Sequence, residues 1–144
     1  MTTSYETDVV EWAKEQANLI RAGRFDLLDL EHIAEEIEDV GKSEKRELAS
    51  RMVVLLAHLL KWKFQPQLQC KSWQRTIAVQ RKDIHYALDE APSLRASLAD
   101  EKWLDLVWSK SVVAASNETG LDDFPGACPW AMEAEILNED WLPG

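Results

Sequence analysis

Cysteine, glycine and histidine are all scarce in this sequence, and each scarcity closes off a class of chemistry. The two cysteines, Cys70 and Cys128, lie far apart and in no C-x-x-C or C-x-x-H arrangement. That excludes a disulfide framework and leaves free thiols of the kind a reducing cytoplasm keeps. The five glycines stand singly, so neither a phosphate-cradling loop nor a dinucleotide-binding turn can be built from them. There is no G-x-S-x-G, hence no serine-hydrolase elbow. The three histidines, His32, His58 and His85, each lack a second histidine one helical turn away, which rules out a zinc-binding helix of the H-x-x-x-H kind. Long apolar runs are missing too: the stretch from Val53 to Leu60 falls far short of the roughly 20 residues that span a bilayer. The first residues, MTTSYETDVVEW, have no basic region followed by an apolar one, so they do not form a secretory signal. Alternating apolar and polar runs bounded by turn residues are absent, which excludes a sheet. The expectation is a soluble, cytoplasmic, all-α protein with no cofactor, no metal and no membrane association.

With 144 residues, 46% of them hydrophobic, the chain is long enough for one domain, residues 1–144, burying roughly two thirds of the surface its unfolded form exposes. Its net charge of -10 is unevenly spread: residues 1–41 sum to -8, residues 42–82 to +8 and residues 83–144 to -10. A basic middle between two acidic flanks suits helices that neutralise one another, and the acidic total argues against general nucleic-acid binding.

The organising stretch is Ser43 to Phe64. On a helical wheel Leu48, Met52, Leu55, Leu56, Leu59 and Trp62 share one side, and Val53, Leu60 and Phe64 widen it beyond the stripe of a surface helix. Such a helix needs neighbours on several sides, so the fold expected is a bundle of five to six helices around it. Ser43 is its expected N-cap and Pro66 its stop. Before it, a helix from about Thr7 to Ala22 has Thr7 as cap, Val9, Trp12, Ala13, Leu19 and Ile20 as buried side, and Gly23 as left-handed stop. A second helix starts at Asp29, with Leu28 and Ile33 at hydrophobic-staple spacing. It carries Leu30, Ile33, Ala34, Ile37 and Val40 as an apolar stripe and ends at Gly41. After Pro66, a helix from about Ser72 to Ala91 shows Trp73, Ile77, Ile84 and Leu88 on one stripe. Pro92 and Ser93 open a helix reaching about Asn117, Gly120 follows it, and Pro129 starts a short last helix with Trp130, Met132 or Ala134, Ile136 and Leu137 inward.

Three clusters could carry function. Glu31, Glu35, Glu36, Glu38, Asp39 and His32 crowd the polar face of the second helix. A metal site would draw on Glu35, Glu36, Asp39 and His58 or His32, though no Glu-x-x-His occurs to support a carboxylate-bridged pair of metals. The competing reading pairs this acid with Lys42, Lys45, Arg46 and Arg51. Cations and aromatics interleave at Lys61, Trp62, Lys63, Phe64, Lys71, Arg75, Arg81 and Lys82, as in phosphate or single-strand binders; a solvated helix face is the alternative. Trp103 and Trp108 are large enough to anchor a homodimer or to fill the core.

The segments AEEIEDVG, HLLKW, QP and SWQRTI, followed by ETGL and CPW, resemble the bacterial family catalogued as domain of unknown function 29, found in cyanobacteria and elsewhere. The resemblance covers nearly the whole chain and includes Glu35, Glu36, Glu38, Gly41, His58, Leu59, Leu60, Lys61, Trp62, Gln65, Pro66, Ser72, Trp73, Arg75 and Ile77. It implies an all-helical domain and attaches no catalytic role to any of them. The reading that follows is a small cytoplasmic protein–protein interaction module, with a protein partner or a second copy as ligand. Anion binding through residues 61–82 and a metal-dependent enzyme on the acidic helix are the alternatives.

Overall fold

The computed structural model describes residues 3–144, and among these residues there are helices and turns but no strand. The five α-helices are α1 (Val9–Arg21), α2 (Leu30–Phe64), α3 (Lys71–Glu90), α4 (Arg95–Leu98) and α5 (Glu101–Thr119). The chain divides into two compact units, Met1–Ser43 and Glu44–Gly144, and the boundary falls inside α2.

In the smaller unit α1 begins one residue later than Thr7 suggests. Asp8 is the cap: its carboxylate accepts the Glu11 backbone N–H at 3.1 Å, satisfying one of the donors that the first turn leaves free. At the other end Gly23 takes the left-handed conformation, φ 73°. The Arg24 N–H reaches back to the Leu19 carbonyl, the closing bond of a glycine-terminated helix. The buried face is narrower than the apolar pattern indicates. Trp12 and Gln16 are buried, whereas Val9, Ala13 and Ile20 are exposed, because the indole and the amide both serve the start of α2. Gln16 Oε1 accepts the Asp29 backbone N–H at 2.8 Å and Trp12 Nε1 donates to Asp29 Oδ2 at 3.0 Å.

The two helices expected on either side of Gly41 are one. Asp29 caps α2 through the His32 N–H, but Gly41 has no positive φ and Ser43 lies inside the helix rather than at its N-cap. A single glycine costs a helix only about 1 kcal/mol relative to alanine, and Glu38, Lys42, Glu44 and Lys45 around it are good helix formers, so the run continues to Phe64. There Gln65 leaves the helical region, φ -129° and ψ 61°, as a residue before proline must. Gln69 Nε2 donates to the open Trp62 carbonyl at 2.8 Å.

In the larger unit α2 supplies Leu48, Met52, Leu55, Leu56, Leu59 and Leu60 to the core, joined by Ile77, Ile84 and Leu88 of α3, Leu94 and Leu98, and Val107, Trp108 and Ala115 of α5. The expected long helix after Pro92 is two. A 3-10 turn (Pro92–Leu94) leads into α4, and Asp100 breaks the run and caps α5, accepting the Lys102 and Trp103 N–H groups. Ser93 caps nothing. Gly120 ends α5 at φ 75°. The last helical turn spans Met132–Ile136 with π geometry instead of starting at Pro129. Ile136 and Leu137 are buried as expected, and Ala134 is exposed.

Two cations are buried in this unit. Arg81, 2% exposed, donates from Nε to the Ile136 carbonyl at 2.8 Å and from Nη2 to the Glu135 carbonyl at 3.4 Å. Lys61, 8% exposed, reaches Glu118 at 2.7 Å and lies 5.1 Å from the centre of the Trp73 ring.

Replacing Arg81 by alanine leaves the Ile136 carbonyl unpaired in the interior and removes the packed stem. A loss of about 2–4 kcal/mol is expected in denaturant unfolding. Gly41→Ala should act in the opposite sense, since a Cβ there meets nothing within 4 Å. A gain of about 0.5–1 kcal/mol in the same assay is expected.

Candidate functional site

Two surfaces in the smaller unit combine unusual chemistry with exposure. The first is a polar and aromatic cluster at the start of α2. His32 stands between two carboxylates, Nδ1 at 2.7 Å from Asp29 and Nε2 at 3.2 Å from Glu6. The Tyr5 ring stacks on the imidazole at 4.2 Å and 15°, and meets Trp12 edge to face at 4.9 Å. The Tyr5 hydroxyl donates to Glu36, an acceptor that holds the phenol in its neutral form, with its pKa pushed up to about 12. The hydrogen bond to Asp29 raises the His32 pKa, and in return holds the Asp29 carboxyl below its ordinary range. With a carboxylate on each nitrogen, His32 has no free lone pair in its charged form. It clasps; it is not placed to take a proton from a substrate.

The second surface is the apolar stripe of α2. Leu30, Ile37 and Val40 are 68%, 67% and 65% exposed, Ala34 is exposed and Ile33 half-buried. The periodicity was a sound guide to a helix and a wrong one to its burial. The side of the helix that packs is the one carrying His32 and Glu36, because the Tyr5–Trp12–Asp29 cluster seats itself there. At 3.6 residues per turn, Glu31, Glu35 and Glu38 line the open border of the apolar stripe. Phe25 and Leu27, in the 3-10 turn before α2, are exposed as well.

The residues expected to hold a metal do not converge. Glu36 is engaged by Tyr5 and His32 by Asp29 and Glu6, while His58 Nδ1–H donates to the Val54 carbonyl at 2.8 Å within α2. Burial keeps the His58 pKa below its ordinary value. Among the described residues no group of three or more His, Cys, Asp or Glu side chains could hold a metal ion. Nor do the basic residues form one exposed surface. Lys61 is buried against Glu118, Trp62 is half-buried, Lys63 donates to the Gly144 carbonyl, and Arg81 is interior. Lys71, Arg75 and Lys82 are exposed. Of the cations expected to pair with the acidic helix face, Arg51 instead bonds Glu47 at 2.8 Å and Asp83 at 2.9 Å. The tryptophans expected at a dimer contact pack on their own unit. Trp108 is 4% exposed with its Nε1–H on the Pro125 carbonyl, and Trp103 is half-buried against the core.

A pocket of about 350 Å³ opens beside α5, lined by Leu56, Trp108, Trp130, Met132 and Ile136, with Glu101, Asp105 and Cys128 among its other walls. Cys128 and Cys70 are both free and exposed. No described helix is long and apolar enough to cross a membrane.

Sequence reasoning singled out His32, Glu36 and Trp12, and Asp29 as a helix start, but not Tyr5 or Glu6. The Asp29-x-x-His32 spacing was a legible signal for the clasp; nothing local announces Tyr5 or Glu6. The family model for domain of unknown function DUF29 matches residues 4–142. No curated protein and no solved structure matches the chain.

The clasp sets a pH window. A raised His32 pKa means its contribution is complete below the ordinary 6.5 and is lost as pH rises through the folded value. A lowered Asp29 pKa means its contribution is present above 3.8 and is lost as pH falls through the folded value. In a histidine NMR titration His32 should lose its proton above pH 6.5 and His58 below it. Asp29→Asn should bring His32 back toward 6.5 while leaving His58 where it was.

Proposed function

Because the chain belongs to the DUF29 family, whose description assigns no activity, function has to be read from the surfaces, and we propose that it is a small cytoplasmic interaction module. The contact face in this reading is the exposed stripe of Leu30, Ala34, Ile37 and Val40. The observation that carries it is the exposure of these side chains at helical spacing, since a contiguous apolar helix face without a cover is the usual mark of a protein-binding surface. Free, exposed cysteines suit a reducing compartment.

Charge selects the occupant. Glu31, Glu35 and Glu38 border the stripe, and residues 1–41 sum to -8. A second copy laid on the same stripe sets carboxylates against carboxylates. A partner protein whose helix has an aliphatic face edged with Lys or Arg meets both the stripe and its border.

A synthetic amphipathic helix of leucine and lysine is the probe, titrated calorimetrically against the full chain. Binding with a negative heat-capacity change, weakened by salt and at least tenfold by Ile37→Asp (about 1.4 kcal/mol), is the expected result. Ile37 is exposed, so the substitution should leave the unfolding midpoint in place. A stable dimer in light scattering that Ile37→Asp dissociates would put a second copy on the stripe. A monomer indifferent to the peptide would overturn the reading.

A further inference from the structure

The pocket beside α5 takes no part in the interaction face, and its walls differ from those of an ordinary packing defect. We propose that it binds a small organic cation with an apolar body, of the aryl-alkylammonium class. Leu56, Met132 and Ile136 offer aliphatic and thioether surface, and the indoles of Trp108 and Trp130 form a corner, their rings 5.9 Å apart and 84° to one another. Both indoles are held before any ligand arrives. Trp108 donates Nε1–H to the Pro125 carbonyl at 3.0 Å, and Trp130 rests on Trp141 at 5.6 Å. A site whose walls need no ordering keeps more of its contact energy as affinity.

Charge decides the class of ligand. Glu101 and Asp105 stand one turn apart on α5, line the same pocket, are exposed, and form no ion pair among the described residues. An indole face carries negative quadrupole density that attracts a cation. No lysine, arginine or histidine lines the pocket. An ammonium group gains from the carboxylates and the indoles alike, while a carboxylate on the same body meets repulsion from both. The volume of about 350 Å³ lies at the lower end of the range for small-molecule sites and suits one ring with a short chain.

Cys128 supplies the readout, because it lines this pocket and Cys70 does not. The probe is 2-phenylethylammonium, with 3-phenylpropionate as the anion of similar shape. The rate of alkylation by iodoacetamide is followed at each thiol by peptide mass spectrometry on the full chain at constant pH. At about 10 mM, ten times a 1 mM Kd, the ammonium should slow Cys128 about tenfold and leave Cys70 unchanged, and the propionate should slow neither. The double substitution Glu101→Gln and Asp105→Asn, on exposed side chains, should abolish most of that protection with the circular dichroism spectrum intact. Equal protection by the propionate, protection that survives the double substitution, or none from either compound would each overturn the proposal.

Discussion

The larger unit depends on one arrangement that an apolar core would not predict: the guanidinium of Arg81, nearly excluded from water, held by the backbone carbonyls of Glu135 and Ile136. Burial works to lower the pKa of such a group, and Glu139 partly offsets it. A desolvated charge is costly unless its donors are satisfied. The segment around Met132–Ile136 answers that need, since the carbonyls at the C-terminal end of a helical turn have no partner within it. His85 repeats the pattern one turn along α3, its Nε2–H donating to the Leu137 carbonyl at 2.8 Å. Polar side chains of α3 thus do for this segment what a neighbouring strand would do in a sheet, and Ile136 and Leu137 are delivered to the core by that means.

The smaller unit uses a different economy. It has few buried side chains and is organised by Asp29, whose carboxylate accepts from Trp12 and His32 and whose N–H donates to Gln16 while it also starts α2. Turning that polar side inward is what leaves Leu30, Ile37 and Val40 outside. The exposed stripe is therefore a consequence of how the helix is seated and not of any shortage of apolar residues.

Helix type and most helix ends could be read from the residues, because caps, glycines and prolines act locally. Asp29, Gly23, Gly120 and Pro66 all behave as their chemistry dictates. Gly41 misled, since in mid-helix its cost is small and its flanks favour continuation. Asp100 is a stronger break than Ser93, because its carboxylate accepts two N–H groups of the turn that follows. The site was less legible. Periodicity identifies two faces of a helix but not which one packs, and that choice in α2 was made by Tyr5, distant in sequence and polar at its tip. Lys61 looked like a surface cation. Its partner Glu118 is far along the chain, and no local rule links the two.

The order in which a ribosome releases these segments gives the Arg81 arrangement a further meaning. Residues 135–137 are synthesised after every helix they help to close, so a nascent chain that has already emitted α2, α3 and α5 has the Arg81 guanidinium still in water and an unfilled notch where Ile136 and Leu137 belong. The larger unit cannot finish folding from its amino-terminal side. Until the segment arrives, the apolar surface of α2, α3 and α5 that Ile136 and Leu137 cover stays open to water.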